Sequence, residues 1–135
     1  MKIVLDTNVV LSAFFFGGFP GQLLESVVQG KAAVYATREI VEEYEAAVAK
    51  MRARKQDNFS ENLLLPIIAR LHIVEPKSRG ALCRDPHDDK FIACAMAANA
   101  AFIVSDGKKV SFVGPYRSTK IMTAEAVCRL LALCA

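Results

Sequence analysis

The sequence predicts an α/β layer fold around a largely parallel sheet, and three observations carry that prediction. Short apolar runs of strand length recur at 2–5, 32–36, 72–76, 101–105 and 120–122. Longer segments with apolar residues at helical spacing lie between them, and strands that alternate with helices imply parallel layers. At 135 residues, with 53% hydrophobic and 23% charged, the chain is expected to form one domain, residues 1–135, with a sizeable core.

Taken in order, "KIVL" (2–5) suits a buried strand and is followed by the polar trio Asp6, Thr7, Asn8. A Gly- and Phe-rich loop, "FFFGGFPG", then leads into an amphipathic helix from about Pro20 to Gln29, with Pro20 as its first residue. "AAVYA" (32–36) reads as the second strand. Thr37 caps a long helix whose Ile40, Val41, Tyr44, Val48 and Met51 form a stripe of period 3.6. "DNFSENLLLPIIARL" reads as helix perturbed by Pro66, and "HIVEP" as the third strand. Asp85-Pro86 opens the next helix, "AFIVS" (101–105) is the fourth strand and "KIM" (120–122) the fifth, and Thr123 caps a C-terminal helix.

Several function classes fall away on composition. No apolar run reaches the roughly 18 residues of a membrane helix, and Asp6 interrupts the short apolar start before it could serve as a signal peptide. A cytoplasmic location is the expectation. The four cysteines form no C-x-x-C pair or zinc-like spacing, and Cys94 and Cys128 read as reduced core residues. The net charge of +3 is mild, and the basic run from Lys50 to Lys55 reads as a solvated helix end whose cations complement the dipole. No phosphate-binding G-x-x-x-x-G-K-[ST] loop occurs.

In parallel α/β folds ligands bind beyond the carboxyl ends of the strands, which turns the acids that follow strands into candidates. Asp6 follows the first strand and Asp106 the fourth. On the long helix Glu42 faces away from the apolar stripe, whereas Glu43 and Glu45 flank it on opposite sides, so periodicity leaves both open. "CRDPHDDKFIACAMA" (83–97) crowds three aspartates against an apolar helix. Asp85 and Asp88 suit capping, while Asp89 has no capping duty and borders the apolar face. Acids converging from separate segments repel one another unless protons or a cation offset them. Mg²⁺ or Mn²⁺, which take oxygen ligands, are the chemistry such a set suits.

These residues resemble a family pattern. "IVLDTNVVLSA", "REIVEEYEAAV", "RDPHDDKFIACAMAANAAFIVS" and "KIMTAEAVCRLL" look like the successive motifs of PIN-domain nucleases, of the VapC-like kind found as the toxin half of toxin–antitoxin pairs. The resemblance implies a three-layer α/β/α sandwich and metal-dependent cleavage of RNA that leaves a 5′-phosphate and a 3′-hydroxyl. It implies that Asp6, Glu43 and Asp89 hold Mg²⁺ or Mn²⁺, that Asn8 and Ser12 steady the ligating carboxylate, and that Ser105 ends the fourth strand beside them. It further implies a cognate antitoxin partner and, by analogy, a homodimer. One departure stands out: the family's fourth acid falls at Gly107 here, and Asp106, one residue early, is the candidate replacement as catalytic and metal-binding residue. Lys108 and Lys109 stand where a further acid is often found. The alternative is therefore a PIN-like domain with an impaired acidic site that binds RNA or protein without cutting. A phosphotransfer enzyme with Asp6 as nucleophile would want a second aspartate two residues on, where Asn8 stands.

Overall fold

The computed structural model describes residues 1–54, 64–76, 89–106 and 119–134. The strands are β1 (Lys2–Leu5), β2 (Ala33–Ala36), β3 (His72–Ile73), β4 (Phe102–Val104) and β5 (Lys120–Met122). The helices are α1 (Thr7–Phe15), α2 (Gly18–Val28), α3 (Arg38–Arg54), α4 (Leu64–Arg70), α5 (Asp89–Ala98) and α6 (Ala124–Cys134). The strands form one sheet in the order β3-β2-β1-β4-β5, and every pairing is parallel.

That order makes β1 the centre. Successive strand residues point to opposite faces, yet Ile3, Val4 and Leu5 are all essentially inaccessible. Both faces of the sheet are therefore covered, as the three-layer arrangement requires and as parallel sheets generally are. Each of these side chains contributes on the order of 1.5–3 kcal/mol by leaving water. Helix α5 packs across β1, β2 and β4. It presents Phe91, Ile92, Cys94, Ala95 and Ala98 to the core, a set that repeats at helical spacing. On the β1 side, Lys2 Nζ donates to the carbonyl of Ala98, 3.3 Å away. This contact fixes the direction of α5: its last turn lies at the start of β1, so its first turn, with Asp89 and Lys90, lies toward the ends of the strands.

The segment after β1 differs from the expectation. Where the sequence suggested a polar turn and a loop, residues 7–15 form helix α1. Val9, Val10, Ala13 and Phe14 are buried, a spacing of one and four residues that tertiary packing rewards despite the modest helix propensity of valine. The loop shrinks to Phe16 and Gly17, and the turn is made by Gly17 and Gly18, whose positive φ of 74° and 62° suits residues without a Cβ. Helix α2 consequently begins at Gly18, two residues before Pro20. Proline is tolerated there because first-turn N–H groups have no partner within the helix. β3 is two residues long rather than five, at the sheet edge. Residues 57–63 of the fourth helical segment, the Asp85-Pro86 helix start, and Gly107 to Lys109 lie outside the described residues. Among the described residues no helix is long and apolar enough to cross a membrane.

Candidate active site

Because all strands run the same way, their carboxyl ends share one edge of the sheet, and the candidate acids gather there. Asp6 leaves β1 with its N–H bonded to the Val104 carbonyl at 3.0 Å, and its own carbonyl accepts the first N–H groups of α1. Its backbone is extended (φ −64°, ψ 146°) and its side chain makes no capping bond to the helix. Instead Asp6 Oδ2 accepts a hydrogen bond from the Ser105 hydroxyl, at 2.9 Å. Ser105 is itself buried at the end of β4, so one carboxylate oxygen is held by a rigid neighbour.

The choice between Glu43 and Glu45, open on periodicity, is decided by packing. Glu45 is exposed, whereas Glu43 is half-buried and uses both oxygens. Oε2 accepts from the hydroxyl of Thr7, the residue after Asp6. Oε1 faces Lys90 Nζ at 2.7 Å, Lys90 being the residue after Asp89. Glu43 is thus tied to the immediate neighbours of both other acids. Next to it, the buried Tyr44 donates its hydroxyl to the Leu5 carbonyl, which anchors α3 to the end of β1. Burial, then the negative charge that Cys94, Asp6 and Glu43 can carry, hold that phenol well above its usual range, so it stays neutral. Burial likewise pushes the Cys94 thiol up to about 12 and leaves it inert.

Asp89 lies on α5, one residue before Lys90, and is half-buried. Asn8 is exposed and Ser12 half-buried on the first turns of α1, and Ser105 supplies a hydroxyl to Asp6. Asp106 has a structural duty, since its Oδ1 accepts the Ala124 N–H at 2.7 Å and caps α6. Thr123 caps the same helix through Ala126, at 3.2 Å. Asp106→Ala is therefore expected to cost about 1 kcal/mol of stability, read from the urea midpoint. If the cap is all it does, activity per folded molecule will not change.

The donor set is chemically suited to a hard divalent cation, being carboxylates with no thiolate or imidazole among them. The acids share one edge, but among the described residues no three potential ligands stand close enough to hold an ion together. One of them already faces a cation, the Lys90 ammonium against Glu43. The open depression of about 540 Å³ lined by Met1, Val27, Ala33, Arg70 and His72, among others, sits at the opposite edge, where the strands begin.

Thr7, Tyr44 and Lys90 are the contacts that sequence reasoning did not single out. Thr7 is adjacent to Asp6, and a hydroxyl next to an acid at a strand end was a usable signal. Tyr44 was read as part of the apolar stripe, which it is, and its hydroxyl reaches past that stripe. Lys90 had no distinguishing signal, because a lysine in a helix's first turn ordinarily faces solvent.

Comparison with known proteins agrees with this fold. The family model described as "PIN domain" matches residues 2–109. The chain is 30% identical over 126 residues to an uncharacterised protein of Methanocaldococcus jannaschii, a match covering 90% of this chain and 81% of that one. The crystal structure of VapBC2 from Rickettsia felis bound to a DNA fragment from their promoter has a similar fold. The TM-score is 0.54 at 19% identity, over 81% of this chain and 90% of that chain. With strand order, acid-bearing edge and family match in agreement, the chain belongs to the PIN-domain family.

Proposed function

We infer that this chain is a metal-dependent endoribonuclease and the toxin of a toxin–antitoxin pair, in keeping with the nuclease activity general to PIN domains. The observation that supports the reading is the linkage of Glu43, on α3, to Thr7 and Lys90, the residues that follow Asp6 and Asp89 on two other segments of the chain. In this reading those three carboxylates hold Mg²⁺ or Mn²⁺, and Asp106 serves the fold as a cap. A divalent ion held there would supply Lewis-acid polarisation of a phosphodiester and make an attacking water more acidic. The chain's own contribution is orientation. Ser105 keeps one oxygen of Asp6 in a fixed direction, Thr7 does the same for Glu43, and the neutral Tyr44 ties α3 to β1 so that Glu43 cannot drift from Asp6. The proposed partners are an RNA substrate and a cognate antitoxin, in the cytoplasm, with a second copy of the chain as a possible homodimer partner by family analogy.

A second reading, binding of RNA without cleavage, is favoured by the acids not yet standing at ion-holding distances. Both readings meet in one assay. Purified protein with single-stranded RNA is expected to cut in Mn²⁺ or Mg²⁺, to stop on addition of EDTA, and to resume when the ion is restored. RNA that is bound but stays intact under every divalent ion would transfer the conclusion to the binding module.

A further inference from the structure

The ion pair between Lys90 and Glu43 is better protected than surface pairs usually are. The two side chains are 13% and 19% exposed and 2.7 Å apart. Water screens such a pair far less than an exposed one, so its attraction exceeds the fraction of a kcal/mol typical of surfaces. Its location also matters. Lys90 follows Asp89 and reaches Glu43, whose other oxygen is held by the residue after Asp6. The cation therefore offsets the charge of the one acid that is tied to the chain neighbours of the other two. Its Nζ also lies 5.7 Å from the centre of the Phe91 ring, and Phe91 is fully buried, which gives the lysine a fixed base.

Both oxygens of Glu43 are thus engaged, one by a hydroxyl and one by an ammonium. A hydroxyl can stay beside a carboxylate that ligates an ion. An ammonium there competes with the ion, because two cations close to one carboxylate repel each other. We propose that Lys90 is a positioning residue, a tethered cation that holds Glu43 in line until a divalent ion takes its place. The proposal rests on the metal-dependent reading above and explains why the acids stand at one edge without closing on each other. On displacement the ammonium stays fixed to the first turn of α5, beside the acids, where the phosphate groups of an RNA strand would bring negative charge.

The test is Mn²⁺ binding measured by titration calorimetry on the full chain, with no RNA present. Lys90→Gln removes the competing charge, and Mn²⁺ affinity is expected to rise about three- to tenfold. Lys90→Arg, whose planar fork grips a carboxylate more firmly, is expected to lower it. Lys50→Gln, on an exposed position of α3 about two turns from Glu43, controls for net charge and is expected to stay within about twofold of the parent. A melting experiment adds a second readout. Metal-free Lys90→Gln is expected to melt roughly 3–8 °C lower, and saturating Mn²⁺ is expected to restore most of that loss. Unchanged or weaker Mn²⁺ binding in Lys90→Gln, or binding in Lys90→Arg at or above the parent level, would overturn the role of Lys90. If Asp6→Asn still abolished binding in that case, the metal-dependent reading would survive. No Mn²⁺ binding by the parent protein would overturn both.

Discussion

Replacing Asp6 by asparagine is expected to lower the rate of Mn²⁺-dependent RNA cleavage about a thousandfold, the equivalent of roughly 4 kcal/mol of transition-state stabilisation. The substitution is chosen for what it preserves. Asparagine has the same shape, and its amide oxygen can still accept the Ser105 hydroxyl that Asp6 Oδ2 accepts now. The backbone bond to Val104 and the start of α1 are untouched. Only the charge goes. Because Asp6 lies among other acids, removing one negative charge relieves repulsion, so the melting temperature is expected to hold or rise slightly. Asp89→Asn is expected to behave likewise in the assay, and since only a charge is removed its melting temperature is expected to change little. The pairing of a large rate loss with an intact melt is what separates a chemical role from a structural one. Cleavage at parental rate by both purified variants would refute the assignment of these residues.

Phe91→Ala is expected to give the largest loss of stability, about 3–5 kcal/mol, seen as a fall of roughly 10–20 °C in melting temperature. The ring is 1% exposed, on the helix that spans the three central strands, and truncation would leave a cavity that the flanking sheet cannot close. Ile68→Ala is the comparison: at 41% exposure it is expected to cost within about 0.5 kcal/mol. The consequence reaches the site as well. Phe91 follows Lys90 and lies two residues from Asp89, so a loosened first turn of α5 would unsettle both. Activity per folded molecule should therefore fall too, a result that activity at low temperature, normalised to folded fraction, would register. Equal stability losses in the two variants would show that α5 is not the support described.

Much of this was legible in the residues before any coordinates. The order of strands and helices followed from short apolar runs alternating with 3.6-period stripes, because those two periodicities reflect backbone geometry directly. Asp6 and Asp106 were identifiable from their positions after strands. What escaped had physical causes. The run from Val9 to Phe16 is apolar except for Ser12, so neither period dominates, and the glycines after it suggested a longer loop than forms. Glu43 and Glu45 border the same stripe on opposite sides, and what separates them is tertiary: the hydroxyl of Thr7, 36 residues away, and the ammonium of Lys90 both reach Glu43. Asp106 had two offices open to it, ligand or cap, and the bond from Ala124 that gives one of its oxygens the second office is a tertiary fact. Lys90 could not be read at all, since its partner lies on another helix.

The bond from Ser105 to Asp6 joins residues 99 positions apart, and the strands that carry them, β1 and β4, are direct neighbours at the centre of the sheet. A ribosome delivers the first of these long before the second. The growing polypeptide can begin packing β1 against β2, but the acidic edge lacks a wall until β4 has emerged and the entropy of closing so long a loop has been met. Whatever chemistry this edge performs, translation itself keeps it silent until most of the polypeptide has been made.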